Sequence, residues 1–332
     1  MVGILVQACE RDEESASATG RADKLETEAL PPGATDPFGE VESEPVKMAP
    51  VARVYGAKLV MLGSGGPLPN PLRSGPAVAV LAQDRAYLVD LGPGVVRRAV
   101  EAYRIGWLKL NPNELSRAFV THLHSDHTAG YADLMLTPPG VGRSAPLQVF
   151  GPPGIVQMTD HLLLAYAEDL AMRREGLSEE KLAGYRIEPH DVDPGVVYED
   201  EIVRVSAFRV EHGDWKVAYG YRFDADGRSI VISGDTAPSD AVVEACSGCD
   251  VLAHEVYCEA DFKNVTPIGR SYFTSHHTST VELAEIATRA KPKLLILYHL
   301  MLRDCTEETL LREMRRNSYV GDVVVGKDLE TY

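Results

Sequence analysis

His122-Leu-His-Ser-Asp-His127 places four metal-binding side chains in six positions. The stretch follows an apolar run, Arg117-Ala-Phe-Val-Thr121, that reads as a short buried strand. The cluster therefore sits where a strand ends and a loop begins. His122 and His124 are two residues apart and point the same way if strand geometry continues. Asp126 and His127 follow where the chain turns, and can serve a second ion. Imidazole suits zinc, and a carboxylate can complete or bridge such a site.

The same context recurs downstream. Glu211-His212-Gly213 closes a strand. Ser233-Gly-Asp235-Thr236 follows Ile230-Val-Ile232 and puts a carboxylate on a tight turn. Leu297-Tyr-His299 ends an apolar strand and supplies another imidazole. Side chains at strand ends are held rigidly yet stay open to solvent, which catalysis needs. Any one of these histidines alone reads as an ordinary surface or core residue. Together they make five imidazoles and two carboxylates in matching contexts.

Around these positions strands and helices interleave. Strands are expected over 51–62, 77–82, 85–90, 147–150, 202–212, 217–223, 228–233, 251–256, 294–299 and 323–325. Helices are expected over 95–105, 128–135, 281–290 and 307–316, with a mixed-charge helical segment over 155–186. Gly63-Ser-Gly-Gly66 ends the first strand, but Gly-Lys-Ser/Thr is absent, so it is not a phosphate-binding P-loop. No repeat of 20–50 residues exists, which excludes a solenoid. The pattern implies sheet covered by helices in an α/β fold.

The net charge of the 332-residue chain is −16, and residues 1–50 hold 11 Asp/Glu against 4 Lys/Arg. That acidic segment, rich in Ser, Ala, Gly and Pro, lacks apolar periodicity and reads as a linker. The body beyond it is also negative, which disfavours nucleic acid as a main partner. Met1-Val-Gly-Ile-Leu-Val-Gln-Ala-Cys9 resembles the end of a bacterial lipoprotein signal, with Cys9 as the lipidated residue. The expected location is therefore the periplasm or a lipid-anchored membrane surface, with the cytoplasm as the alternative. Cys246-Ser-Gly-Cys249 is a lone Cys-x-x-Cys and reads as a helix-to-strand turn that an exported protein can oxidise.

From about residue 55 onward the chain resembles the metallo-β-lactamase superfamily, on its His-x-His-x-Asp-His motif. Gly234-Asp-Thr236, Ala253-His-Glu255 and His277-Thr-Ser279 narrow this to the branch with tRNase Z and the zinc-dependent arylsulfatases. The resemblance implies an αββα four-layer sandwich with a dinuclear site at one sheet edge. Residues 51–332 would form that hydrolase domain, with 155–186 as an insert. The first metal would take His122, His124 and His212, the second Asp126, His127 and His299, and Asp235 would bridge. The metals would be two Zn2+, with other divalent transition metals as substitutes. His254, Glu255 and Asp90 would support the ligands from behind. Two such ions hold a bridging water and lower its pKa to about 7. Asp126 would orient the hydroxide nucleophile, and His277 would face the substrate and protonate a leaving oxygen.

For substrate, the tRNase Z branch carries an extended basic arm. Residues 155–186 occupy that place, but offset Arg173, Arg174, Lys181 and Arg186 with Asp160, Glu168, Asp169, Glu175, Glu179 and Glu180. The insert, Val196–Asp200 and Gly326–Leu329 look closer to arylsulfatase-like relatives. The expectation is an arylsulfatase-like hydrolase of small sulfate or phosphate esters. A tRNase Z-like phosphodiesterase is the alternative, and a β-lactamase or lactonase follows. The implied partner is a small anionic ester. Nucleic acid is not expected, membrane contact runs only through Cys9, and a homodimer is left open.

Overall fold

Apolar strands build two sheets whose central strands are buried on both faces. The computed structural model describes residues 56–332. The first sheet is β1 (Lys58–Gly63), β2 (Ala77–Ala82), β3 (Arg85–Val89), β4 (Arg117–Phe119), β5 (Leu147–Gly151) and β6 (Ile187–Asp191), paired in chain order. The second runs β13-β12-β11-β10-β9-β8-β7. Its strands are β7 (Gly195–Glu199), β8 (Val203–Val210), β9 (Ala218–Ala225), β10 (Arg228–Ile232), β11 (Val251–Tyr257), β12 (Leu294–Met301) and β13 (Val323–Val325).

Side chains alternate across a strand, and the alternation sorts them into layers. Leu59, Met61, Val78 and Val80 of the first sheet meet Val205, Tyr221, Ile230 and Ile296 of the second in one core. Val60, Leu62, Ala79 and Leu88 face the other way, against α1 (Val95–Arg104) and α3 (Tyr131–Gly140). On the far side, Val231, Leu252 and Leu295 pack on α7 (Asp240–Cys246), α9 (Thr280–Ala290) and α10 (Glu307–Arg316). The result is four layers, αββα. Burial on both faces explains why β2 reads as the unbroken apolar run Ala-Val-Ala-Val-Leu-Ala.

Between β4 and α3 lies the one-turn α2 (Ser125–Thr128), where the expected helix start at Thr128 falls. The insert is helical, as α4 (Ile155–Ala165), α5 (Ala167–Arg174) and α6 (Glu179–Ala183). The first strand starts at Lys58, and the expected residues 51–55 lie outside the described ones. So does Cys9, so the lipid-anchor expectation gains no structural support. Among the described residues no helix is long and apolar enough to cross a membrane.

Two strands and one longer helix have no counterpart in the sequence reading: β6, β7 and α8 (Pro267–His276). Disulfides join Cys246 to Cys249 at the end of α7, and Cys258 to Cys305. The second links the chain just after β11 to the chain just after β12.

Candidate metal centre

The candidate ligands arrive from four segments at one edge of the sandwich. His122, His124, Asp126 and His127 come from the β4–α2 turn, and His212 follows β8. Asp235 follows β10, while His299 sits in β12 at φ 46°, beside a register shift that turns its ring to the edge. Gly66 lets the loop after β1 lie against that ring: a Cβ there would come within 3.2 Å of His299 Cε1. Gly234, at φ 62°, holds the tight turn that presents Asp235.

Two groups form. His122 Nε2 lies 2.9 Å from His124 Nδ1, which lies 3.1 Å from His212 Nε2. Asp235 Oδ2 stands 3.9 Å from His122 Nε2 and 4.0 Å from His212 Nε2. In the second group, His299 Nε2 is 3.3 Å from Asp126 Oδ2, and His127 Nε2 is 3.6 Å from the same oxygen. Asp235 reaches this group too, with Oδ1 3.3 Å from His127 Nε2 and Oδ2 3.3 Å from His299 Nε2. All seven candidates are therefore together, and Asp235 lies between the two groups.

The outer partners of the rings fix their tautomers. His127 Nδ1 donates to the buried Asp90 carboxylate at 2.8 Å. Thr121 donates its hydroxyl to Asp90, so its oxygen is left to accept from His122 Nδ1 at 3.0 Å. His212 Nδ1 donates to the His276 carbonyl at 2.7 Å. Each arrangement puts a proton on Nδ1 and turns Nε2 to the centre. His122 and His212 offer lone pairs there. At His127 burial is outweighed by Asp235 and Asp90, so this ring is charged and gives up its Nε2 proton to bind an ion. Buried His127 Nε2 and Asp235 Oδ1 have no hydrogen-bond partner. Lone pairs and a carboxylate converge with few donors between them, and this donor set fits two metal ions.

His124 differs. Trp215 donates its indole N–H to His124 Nε2, which leaves the ring's own proton on Nδ1. An ion held at Nδ1 requires this ring to give up that proton.

Burial lowers the basicity of His122, and the nearby His127 adds to the effect. Burial also lowers His124, and brings His212 down to about 4. These rings stay neutral and keep their lone pairs well below neutral pH. Burial opposes charge on Asp235, yet His299 and His127 outweigh it and hold the carboxyl ionised. Glu255 goes the other way: burial and the Asp235 charge raise it, favouring the protonated acid.

Glu255 and His254 are neighbours on β11 but face opposite ways. Glu255 Oε1 accepts from the backbone N–H groups of Thr236 and Thr278 and stands 3.4 Å from His277 Nδ1. His254 donates Nδ1 to the Glu255 carbonyl, and its Nε2 has no partner. The two-residue period of the strand thus turns His254 away from the ligands it was expected to support. His277 is buried, with Nδ1 4.0 Å from Asp235 Oδ2. His276 instead stacks on Tyr272 with ring centroids 4.1 Å apart.

Thr121, Trp215 and the His276 carbonyl were not singled out from the sequence. A threonine before a histidine cluster is a visible signal for the first. The others depend on side-chain and backbone placement with no sequence mark.

Two clefts flank the centre. One, of about 100 Å³, is lined by Tyr257, Phe262, Phe273, His277, Met301 and Arg303, among others. The other, of about 580 Å³, is lined by Leu123, His124, Pro152, Trp215, Tyr272 and His276, among others. Tyr272 borders both.

The Beta-lactamase superfamily domain matches residues 85–300. Ribonuclease Z of Mycobacterium marinum is 31% identical over 276 residues, covering 82% of this chain and 96% of that protein. Among solved structures, human tRNase Z, short form, aligns with a TM-score of 0.61 at 21% identity, covering 83% of this chain and 98% of that one. The metallo-beta-lactamase fold protein YhfI from Bacillus subtilis aligns at 0.61 and 18%, covering 83% and 99%. These two likenesses carry the fold.

The ribonuclease relatives overturn two expectations: the arylsulfatase-like activity on small esters, and the exclusion of nucleic acid as a partner. The charge argument failed because it summed over the chain, whereas RNA contacts depend on local charge. Two of the three segments that looked arylsulfatase-like serve the fold. Asp200 accepts from Tyr87 and Tyr198 accepts from Arg117, both across the sheets, and Asp328 accepts from the Ser64 and Ser74 backbone. The matched domain, the related ribonucleases and the shared architecture lead to one conclusion: the chain belongs to the metallo-β-lactamase superfamily, in its tRNase Z branch, and is a metal-dependent hydrolase of ester bonds.

Proposed function

We propose that this chain is a ribonuclease Z-type phosphodiesterase that cuts RNA, with a tRNA precursor as substrate, and that residues 51–332 form its catalytic domain. The observation that supports a diester over a small monoester is the pair of clefts. His124 borders one and His277 the other, so a group bound at the centre can extend to both sides. A phosphodiester carries two substituents, and a monoester carries one.

In this reading His122, His124 and His212 would hold one ion and Asp126, His127 and His299 the other, with Asp235 available to both. Zinc is the ion best suited to so many imidazoles. Bound there, two divalent ions supply an acidified water and offset charge on the phosphate. Asp126 is half-buried. Burial raises its pKa, but its hydrogen bond to His299 and the His127 charge win, so it stays ionised. It accepts a proton from the attacking water and orients it. As the water oxygen bonds to phosphorus, the bond to the leaving oxygen breaks. Burial lowers the basicity of His277, so the ring first takes up a proton from solvent and then gives it to this oxygen, with Glu255 3.4 Å from its Nδ1. A tRNA substrate also places the enzyme in the cytoplasm.

The test is a zinc-loaded protein assayed on a tRNA precursor, an aryl sulfate and a small phosphodiester. The precursor should be cut with the highest kcat/KM, and metal analysis should find near two zinc per chain. Faster turnover of the aryl sulfate than of the precursor would reject the proposal.

A further inference from the structure

The smaller cleft is built from stacked rings. Tyr257 and Phe262 lie nearly parallel, with centroids 4.5 Å apart at 14°. Phe273 meets both edge-on, at 5.6 Å from Tyr257 and 5.5 Å from Phe262. Its ring is half-buried and lies 5.9 Å from that of His277. The Arg303 guanidinium sits over Phe273, 5.7 Å from its centroid. At about 100 Å³ the cleft is smaller than the ~300–1,000 Å³ pockets of drug-sized ligands, so it suits one ring system.

A second cleft continues from this one through Phe262, which lines both. Arg270, Arg312 and Arg316 border it, together with Glu259 and Glu313. Glu313 is engaged inward, accepting from the backbone N–H groups of Glu259 and Ala260 at 3.0 and 2.9 Å. The arginines are exposed. Aromatic faces next to exposed arginines suit a strand of nucleic acid, because every base offers a π-face and every linkage a phosphate.

We propose that this cleft takes the base of the nucleotide adjoining the scissile phosphate, stacked on Phe273, with Arg303 and the Arg270–Arg312–Arg316 rim on the phosphates beyond. The assignment rests on the ribonuclease reading above. It goes further by giving the substrate a fixed place: the base sits on the His277 side of the centre. The competing account is that the rings only pack on one another as a small satellite core.

The test pairs a protein change with a substrate change. Phe273→Leu keeps apolar bulk but removes the ring face, and an abasic site next to the scissile bond removes the base. Each alone should lower kcat/KM for RNA by about 10-fold, within the range of one base–aromatic stack. Combined, they should cost no more than either alone, because they remove the same contact. The loss in Phe273→Leu should exceed its loss on methyl p-nitrophenyl phosphate, which has no base. Independent losses that multiply, or indifference of the unaltered enzyme to the missing base, overturn the assignment.

If the zinc-loaded enzyme cuts no RNA, the ribonuclease reading falls and the cleft is judged by binding. Saturable quenching of 2-aminopurine riboside 5′-monophosphate, weakened about 10-fold in Phe273→Leu, then supports it. No quenching, or equal quenching in both proteins, overturns it.

Discussion

Asp90 governs the centre without touching its middle. One carboxylate oxygen accepts the hydrogen bond of His127 Nδ1–H, and the pair together hold Thr121, which sets His122. A ring from each metal group thus depends on one side chain. Its backbone is left-handed, at φ 60°, a conformation that Asp and Asn tolerate better than other residues. Asp90→Asn therefore removes the charge without straining the turn. Zinc affinity should fall 10–100-fold, the usual effect of losing such a partner. Unchanged titration calorimetry would show that His127 needs no carboxylate. His277→Ala makes a different prediction: the loss in kcat should be largest for the poorest leaving groups. A series of aryl phosphodiesters of graded leaving-group pKa measures this. An equal loss across the series would deny His277 the proton-donor role.

Asp200 ties the two sheets at the β7–β8 turn. It accepts from Arg85 at 2.6 Å and Tyr87 at 3.0 Å, both on β3, and from Tyr198 at 2.8 Å on β7. Burial alone raises its pKa, but the backbone N–H groups of Ile202 and Val203, then Tyr198 and Arg85, bring it down to about 2. A lowered folded value means the stabilisation is full above the unfolded pKa of about 3.9 and is lost as pH falls toward 2. Asp200→Asn should cost about 1.5 kcal/mol at pH 7, and the gap to the unaltered protein should close in acid. Urea unfolding at pH 7 and pH 3 checks it. A gap that widens in acid would reverse the sign.

Elements differ in how legible they were. The centre could be read because the candidate ligands lie in or just after strands whose apolar runs are plain, as in Ile230-Val-Ile232 before Asp235. β6 could not: Ile187-Glu-Pro-His-Asp191 is an edge strand with a proline and mostly exposed side chains, so no apolar alternation marks it. α8 buries none of its residues, so Pro-Ile-Gly-Arg-Ser-Tyr-Phe-Thr-Ser-His carries no helical stripe. The aromatic cleft went unseen with it, since Phe273 belongs to α8. His254 shows the remaining limit. A motif places two polar residues side by side, but only the strand's parity decides which one faces the site.

Across the whole molecule, charge is unevenly spread. Residues 1–50 carry −7 of the −16, which opposes any approach of RNA. Removing them should lower KM for RNA at low salt, with the difference vanishing above about 0.5 M salt, where the Debye length shrinks to a few ångströms. A KM unaffected by the truncation at low salt would mean the segment plays no electrostatic part.

The Cys246–Cys249 and Cys258–Cys305 pairs have a further use as a postmark. Cytosol keeps thiols reduced, and oxidising compartments keep them paired. The chain has five cysteines. Protein captured from cells by alkylation under denaturing conditions should carry five labels if it resides in the cytoplasm. Export would leave a single label, on Cys9, and lipidation of Cys9 would remove that one as well. Mass spectrometry of one peptide digest thus separates the three histories of the chain before any substrate is tried.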